Sequence, residues 1–249
     1  MRKLKVPFAV ILLIFLFLIS LSGNAGEGVN PFAKYFPAYN TYTAPIKKEF
    51  HVNAEKLYDS IGLINYGLSK KAWQFALKGY QKLVEKGRIE NADYITICDF
   101  SLSSRQKRFF IINLKTSELV MATYVAHGRR SGGEFARRFS NRTNSHQSSL
   151  GFYITRNTYY GENGLSLRLD GIEKGFNDKA MRRNIVIHGS EYASDDFLNT
   201  NKMLGRSHGC PAVPENDIDT IVSTIKDGSC FFIYYPAKKY IKASKILNG

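Results

Sequence analysis

Between residues 54 and 66, apolar positions recur at Leu57, Ile61 and Ile64. A second run places Trp73, Leu77, Tyr80 and Val84 on one side, between Ser69 and Gly87. Both keep a period near 3.6 and predict a helical pair, the second member capped by Ser69 and stopped by Gly87. From Asp93 the period shortens. Residues 94–99, 108–114 and 118–126 are β-branched and aromatic runs, and Lys115-Thr116-Ser117 between the last two predicts a hairpin. Further strands are expected at 150–155, 166–169, 184–188 and 230–235, and a helix at 215–226. A polar stretch rich in Arg, Gly, Ser and Asn fills 129–147. The pattern predicts an α+β class: a mainly antiparallel β-sheet or sandwich domain preceded by the helical pair.

The N-terminus follows a different rule. Arg2, Lys3 and Lys5 precede an apolar run over 6–21, and the small residues Ser22, Gly23, Asn24 and Ala25 follow it. This order predicts a secretory signal cut after Ala25, with an uncleaved anchor as the alternative. Residues 26–50 lack periodicity and read as a linker or strap. The expected organisation is a signal peptide at 1–25, a linker and helical extension at 26–90, a catalytic domain at 91–236 and a tail at 237–249.

Charge and cysteines change the picture in the light of export. Loss of the three leader cations lowers the formal charge from +14 to +11. Outside the cytoplasm this points to an anionic cell envelope and away from nucleic acid. Three cysteines, Cys98, Cys210 and Cys230, are an odd count for an oxidising compartment. Cys98 and Cys230 sit in apolar strand runs and are expected to be buried, whether or not they pair. Cys210 lies in a loop, LGRSHGCPAV (204–213).

A thiol must ionise to attack, and its ordinary pKa leaves only a few per cent as thiolate at pH 7. Gly209 lets the backbone approach a substrate or adopt positive φ, and Pro211 stiffens the exit of the turn. The base has two candidates, His127 in TYVAHGRR and His188 in NIVIHGSE. Each ends a predicted strand and precedes a glycine. His208 is too close to Cys210 in the chain to be assumed well oriented toward it. His188, His208 and Cys210 lack the paired spacing of a zinc site, so neither a metal nor a cofactor is expected. His51 is read as a surface residue. The arginines of GRRSGGEFARRFSNR, with Arg168, Arg182 and Arg183, are candidates for gripping carboxylates.

The strings RNIVIHGSEYAS and LGRSHGCPAV, with AHGRRSG, SLGFYIT, LSLRLDG and GFND, resemble the L,D-transpeptidase catalytic domain of the YkuD type. They are similar to a murein L,D-transpeptidase subgroup found in exported bacterial proteins, and the resemblance covers roughly residues 92–236. The resemblance implies Cys210 as acyl-accepting nucleophile and His188 as its base, with the Gly189 carbonyl orienting the imidazole. It further implies an oxyanion hole from the Gly209 and Cys210 amides, with Ser207 and His208 shaping the loop. His127, Arg129, His146 and Arg168 become expected substrate contacts. The implied reaction is acyl transfer on peptidoglycan stem peptides through a cysteine thioester, giving 3-3 cross-links. With the same site, L,D-carboxypeptidase activity and D-amino-acid exchange are the alternatives, and a non-catalytic wall-binding protein is the rival of another class. The chain departs from the family pattern after the nucleophile, where Pro211 and Ala212 replace a hydrophobic residue followed by Asn or Arg.

Overall fold

The computed structural model describes residues 53–249. The expected signal peptide, the strap at 26–50 and His51 lie outside the described residues.

The helical pair forms where the pattern placed it. Helix α1 (Ala54–Ile61) starts at Asn53, whose side chain accepts from the Glu55 and Lys56 amides, and ends at Gly62 in the left-handed region. A 3-10 turn (Leu63–Tyr66) follows, then helix α2 (Lys70–Glu85), with Ser69 Oγ accepting from the Ala72 amide. These side chains satisfy amide donors that the first helical turn leaves open. Trp73 is fully buried and donates its indole N–H to the Ala54 carbonyl at 2.6 Å, tying α2 to α1. Gly79 is where α2 meets the sheet: a Cβ there would lie 2.0 Å from Phe152 Cζ. The missing side chain sets the approach.

The strands are β1 (Tyr94–Asp99), β2 (Phe109–Asn113), β3 (Glu118–Thr123), β4 (Gly151–Gly161), β5 (Gly164–Gly171), β6 (Val186–Gly189), β7 (Ala212–Val213) and β8 (Cys230–Tyr234). They form one eight-stranded sheet in the order β3-β2-β1-β8-β4-β5-β6-β7. The sheet is mainly antiparallel; β1 with β8 and β6 with β7 are the parallel pairs. Just past β3, Ala126 bridges to Ala212 of β7, so the two edges approach each other and the single sheet curls toward a barrel. No second stacked sheet is needed to bury both faces. The core is aromatic, with Phe152 stacked on Phe232 at 4.2 Å between ring centroids.

Ile95, three residues before Cys98, is the register partner of Cys230, and both thiols are free and buried. Helix α3 (Asp195–Thr200) and the two-residue β7 were not anticipated; helix α4 (Ile218–Ile225) was, with a 3-10 turn (Glu215–Asp217) ahead of it. The C-terminal segment, read as a tail, folds into α5 (Lys238–Ala243) and α6 (Lys245–Asn248). Tyr240 and Ser244 donate hydroxyl hydrogen bonds to buried Glu173, which also accepts from the Phe152 amide at 2.8 Å. No helix among the described residues is long and apolar enough to cross a membrane.

Candidate active site

Parallel pairing of the short strand β7 with β6 sets Ala212 against His188 and Val213 against Gly189. Cys210, two residues before Ala212, therefore lies alongside the start of β6, its sulfur near the Val186 N–H and the Asn184 carbonyl, and His188 sits two positions further along the same strand. The turn that carries it is closed by its own side chains. Ser207 Oγ donates to the Cys210 carbonyl at 2.6 Å and accepts from the Gly209 N–H at 3.0 Å. From outside, Ser148 Oγ accepts from the Gly128 N–H at 3.0 Å and donates to the Gly209 carbonyl at 3.2 Å. Main-chain bonds from the Ser207 N–H to the His127 carbonyl, and from the Arg129 N–H to the Ser207 carbonyl, dock the turn on residues 127–129, which follow β3.

Cys210 is half-buried, and its sulfur lies 3.5 Å from the Asn184 carbonyl. Burial pushes its thiol up; the Val186 N–H, the Arg183 guanidinium and the Cys210 N–H act in the opposite sense. His188 is buried, with Nδ1 2.8 Å from the Gly189 carbonyl. A carbonyl only accepts, so Nδ1 carries the proton and Nε2 is left with a lone pair. Burial holds the His188 imidazole below its ordinary value, against the pull of the Gly189 carbonyl. At neutral pH Cys210 is thus a thiol and His188 a neutral imidazole.

His127, the other candidate base, is 1% exposed and accepts a hydrogen bond through Nδ1 from Nη2 of the fully buried Arg108, at 2.9 Å. Guanidinium only donates, so the His127 proton sits on Nε2, and burial together with Arg108 depresses its pKa to about 3. Its free lone pair is occupied and its ring meets no solvent. His127, expected as a substrate contact, touches the 207–210 turn through its backbone carbonyl, and its ring lies in the core.

The other expected contacts separate. His146, in the left-handed region at φ 52°, sets its ring edge-on to exposed His208 with centroids 4.6 Å apart. These two side chains meet beside the turn. Arg129 is exposed and joins the turn through its amide. Arg168 lies on β5 opposite Val186, but its guanidinium sits over the Tyr159 ring at 4.4 Å. It is engaged there and not on the turn. Among the described residues no group of three or more His, Cys, Asp or Glu is placed to hold a metal ion.

A sequence model of the L,D-transpeptidase catalytic domain matches residues 64–234. The chain belongs to this family. Solved L,D-transpeptidase structures are similar to it at low identity. One from Mycobacterium smegmatis is 9% identical over 57% of this chain and 59% of its own, with a TM-score of 0.36. L,D-transpeptidase 3 from Mycobacterium tuberculosis is 10% identical over 57% and 61%, with a TM-score of 0.38. One from Xylanimonas cellulosilytica is 14% identical over 72% and 93%, with a TM-score of 0.34. The chain thus spans about three-fifths of the length of the two mycobacterial structures. No curated protein matches the sequence.

Within this L,D-transpeptidase domain, the Gly209 amide is engaged inside the turn itself. The Gly209 N–H, expected in an oxyanion hole, is taken by Ser207 Oγ, which leaves the Cys210 N–H facing the sulfur. Gly209 serves the turn in another way. Its φ is +128°, and a Cβ there would stand 2.8 Å from the Gln147 carbonyl oxygen. A strained backbone position of this kind costs on the order of 1–3 kcal/mol when a side chain is forced into it. Gly209→Ala is expected to lower the alkylation rate of Cys210 roughly tenfold while a thermal melt stays cooperative, because about 1.4 kcal/mol of misplacement is a factor of ten. An unchanged rate would show that the turn tolerates the side chain.

Proposed function

We propose that this chain is an exported cysteine L,D-transpeptidase that acts on peptidoglycan stem peptides. The observation that carries the reading is the Nδ1 contact of His188: the Gly189 carbonyl holds Nδ1–H and leaves Nε2 as the basic nitrogen, and the β6–β7 register brings the Cys210 turn against the strand that carries His188. His188 Nε2 removes the Sγ proton as the sulfur attacks the carbonyl that joins an L-centre to the terminal D-alanine of a donor stem. The C–N bond breaks, the proton passes to the departing amine, and D-alanine leaves a thioester on Cys210. The amine of a second stem then attacks the thioester and gives its proton to His188. The C–S bond breaks, the thiol re-forms, and a 3-3 cross-link is made.

Family membership supports this chemistry, and the apolar run at 6–21 behind three cations supports export to a periplasm or cell envelope. The surplus positive charge suits an anionic wall. The deciding experiment incubates purified protein with defined tetrapeptide stems and reads every product by mass spectrometry. Free D-alanine with a cross-linked dimer is expected. D-alanine with a tripeptide and no dimer would mark an L,D-carboxypeptidase, an exchanged terminus with added D-amino acid an exchange enzyme, and unaltered stems a wall-binding protein.

A further inference from the structure

Arg183 ends the 3-10 turn Met181–Arg183, and Asn184 follows it in the left-handed region. The Asn184 carbonyl is the group 3.5 Å from Cys210 Sγ, so the two residues flank the sulfur's side of the turn. The Arg183 guanidinium makes four hydrogen bonds. Nη1 donates to the Ser140 carbonyl at 2.9 Å and to Ser149 Oγ at 3.1 Å; Nη2 donates to the Gln147 carbonyl at 2.6 Å and to Ser145 Oγ at 3.3 Å. Every acceptor is neutral and belongs to the wall loop, 140–149. The same Nη2 would lie 3.2 Å from a Cβ at Gly209, so the guanidinium also packs on the backbone next to Cys210.

A partly buried cation is ordinarily paired with a carboxylate, because removing it from water is expensive. Among the described residues, the ion pairs do not include Arg183. Burial pulls its pKa down, and the Cys210 and Tyr153 side chains, when ionised, pull it up. The two residues after the nucleophile, Pro211 and Ala212, carry no side-chain donor. The guanidinium is therefore the charged group placed where an anion on Cys210 would need one.

Building on the reading of Cys210 as nucleophile, we propose that Arg183 is its positioning residue: a fork that clamps the wall loop 140–149 against the nucleophile turn and a fixed positive charge beside the sulfur. Arg suits this task better than Lys, since its planar fork can hold four acceptors at once while remaining charged. The clamp orders the side of the site that carries His146, and the charge favours the thiolate over the thiol.

The test follows the sulfur and needs no stem peptide, so it stands apart from the question of which acyl transfer the enzyme performs. Native protein is alkylated with iodoacetamide across pH, with Cys210→Ala as the control for labelling site; Cys98 and Cys230 are buried strand residues. The ionisable groups facing the sulfur are Arg183, Tyr192 of the turn Glu191–Ala193 and, through the β6–β7 register, His188. With His188 neutral and Tyr192 protonated near pH 7, the charge that changes in Arg183→Gln is that of Arg183 alone. The variant is expected to raise the alkylation midpoint by about one pH unit and to lower the rate at pH 7 roughly tenfold, the range an opposite charge within a few ångströms commands. A folded R183Q with the wild-type midpoint would overturn the charge half of the proposal. Should R183Q lose its cooperative melt, R183K decides. It keeps the charge and loses the fork, so its midpoint is expected to stay close to wild type while amide hydrogen exchange over 140–149 speeds up at least about tenfold. A midpoint displaced by as much as a full unit, or unchanged exchange, would overturn the proposal.

Discussion

Alanine at position 210 is expected to remove acyl-enzyme formation completely. Incubated with a carbapenem, whose strained carbonyl imitates an acyl donor, the native protein should gain one drug mass on Cys210, and Cys210→Ala should gain none. Neither remaining thiol can substitute. Cys98 and Cys230 are fully buried on adjacent strands, and burial drives both thiols far above the ordinary range, so they stay protonated and out of reach. Removing the nucleophile of a covalent mechanism commonly costs about 10⁴-fold or more in turnover. The same variant should therefore leave tetrapeptide stems unaltered over times in which the native protein consumes them. A drug adduct retained by Cys210→Ala, or mapped to another residue of the native protein, would remove Cys210 from the reaction.

Local signals were strong in the helical pair, where Ser69 and Gly87 punctuate α2, and in β1, whose limits Tyr94 and Asp99 match the run of apolar residues. Elements held by distant partners were illegible. Strand β7 is two residues between Pro211 and Pro214 and exists because β6 and the Ala126 bridge hold it from both sides. Helices α5 and α6 pack because Tyr240 and Ser244 reach Glu173, a carboxylate some seventy positions earlier in the chain. Their sequence, KKYIKASKILNG, is too short and polar to announce a helix that depends on packing.

The site divides in the same way. Cys210, His188 and Gly189, the proposed catalytic group, stand in two short strings, and only the fold brings those strings together as paired strands. His127 could not be separated from His188 by pattern, since both end apolar runs and precede glycine. What separates them is Arg108, which lies on the far side of a long-range contact and occupies the His127 lone pair. Arg183 stood beside Arg182 ahead of the predicted 184–188 strand, one of many candidate arginines, and only the fold reveals that its acceptors are neutral and its neighbour is Gly209. The serines of the wall loop were equally hidden, because a hydroxyl's value in a turn depends on which backbone faces it.

Substitution of the two histidines should give opposite phenotypes. His188→Gln keeps a side chain of similar reach without a base, and general-base removal of this kind costs roughly 10²–10⁴-fold. Acylation by a carbapenem should fall by that factor, with the melt little changed, and should partly recover at high pH as the thiol ionises unaided. His127→Gln acts on the core, where Arg108 would lose its imidazole acceptor; its melting temperature should fall while the acylation rate per folded molecule stays within a few-fold. The native pH profile gives a further check on the same base. Because burial holds the His188 pKa below that of a free imidazole, its neutral, proton-accepting form persists to lower pH. The fall in acylation rate on the acid side should therefore lie below the pH at which a free imidazole titrates, and a profile still rising steeply above pH 7 would mean that another group, or the bare thiolate, sets the rate. A His188→Gln enzyme with native acylation would transfer the base to a residue outside β6, and with it the reason for the β6–β7 register that places Cys210.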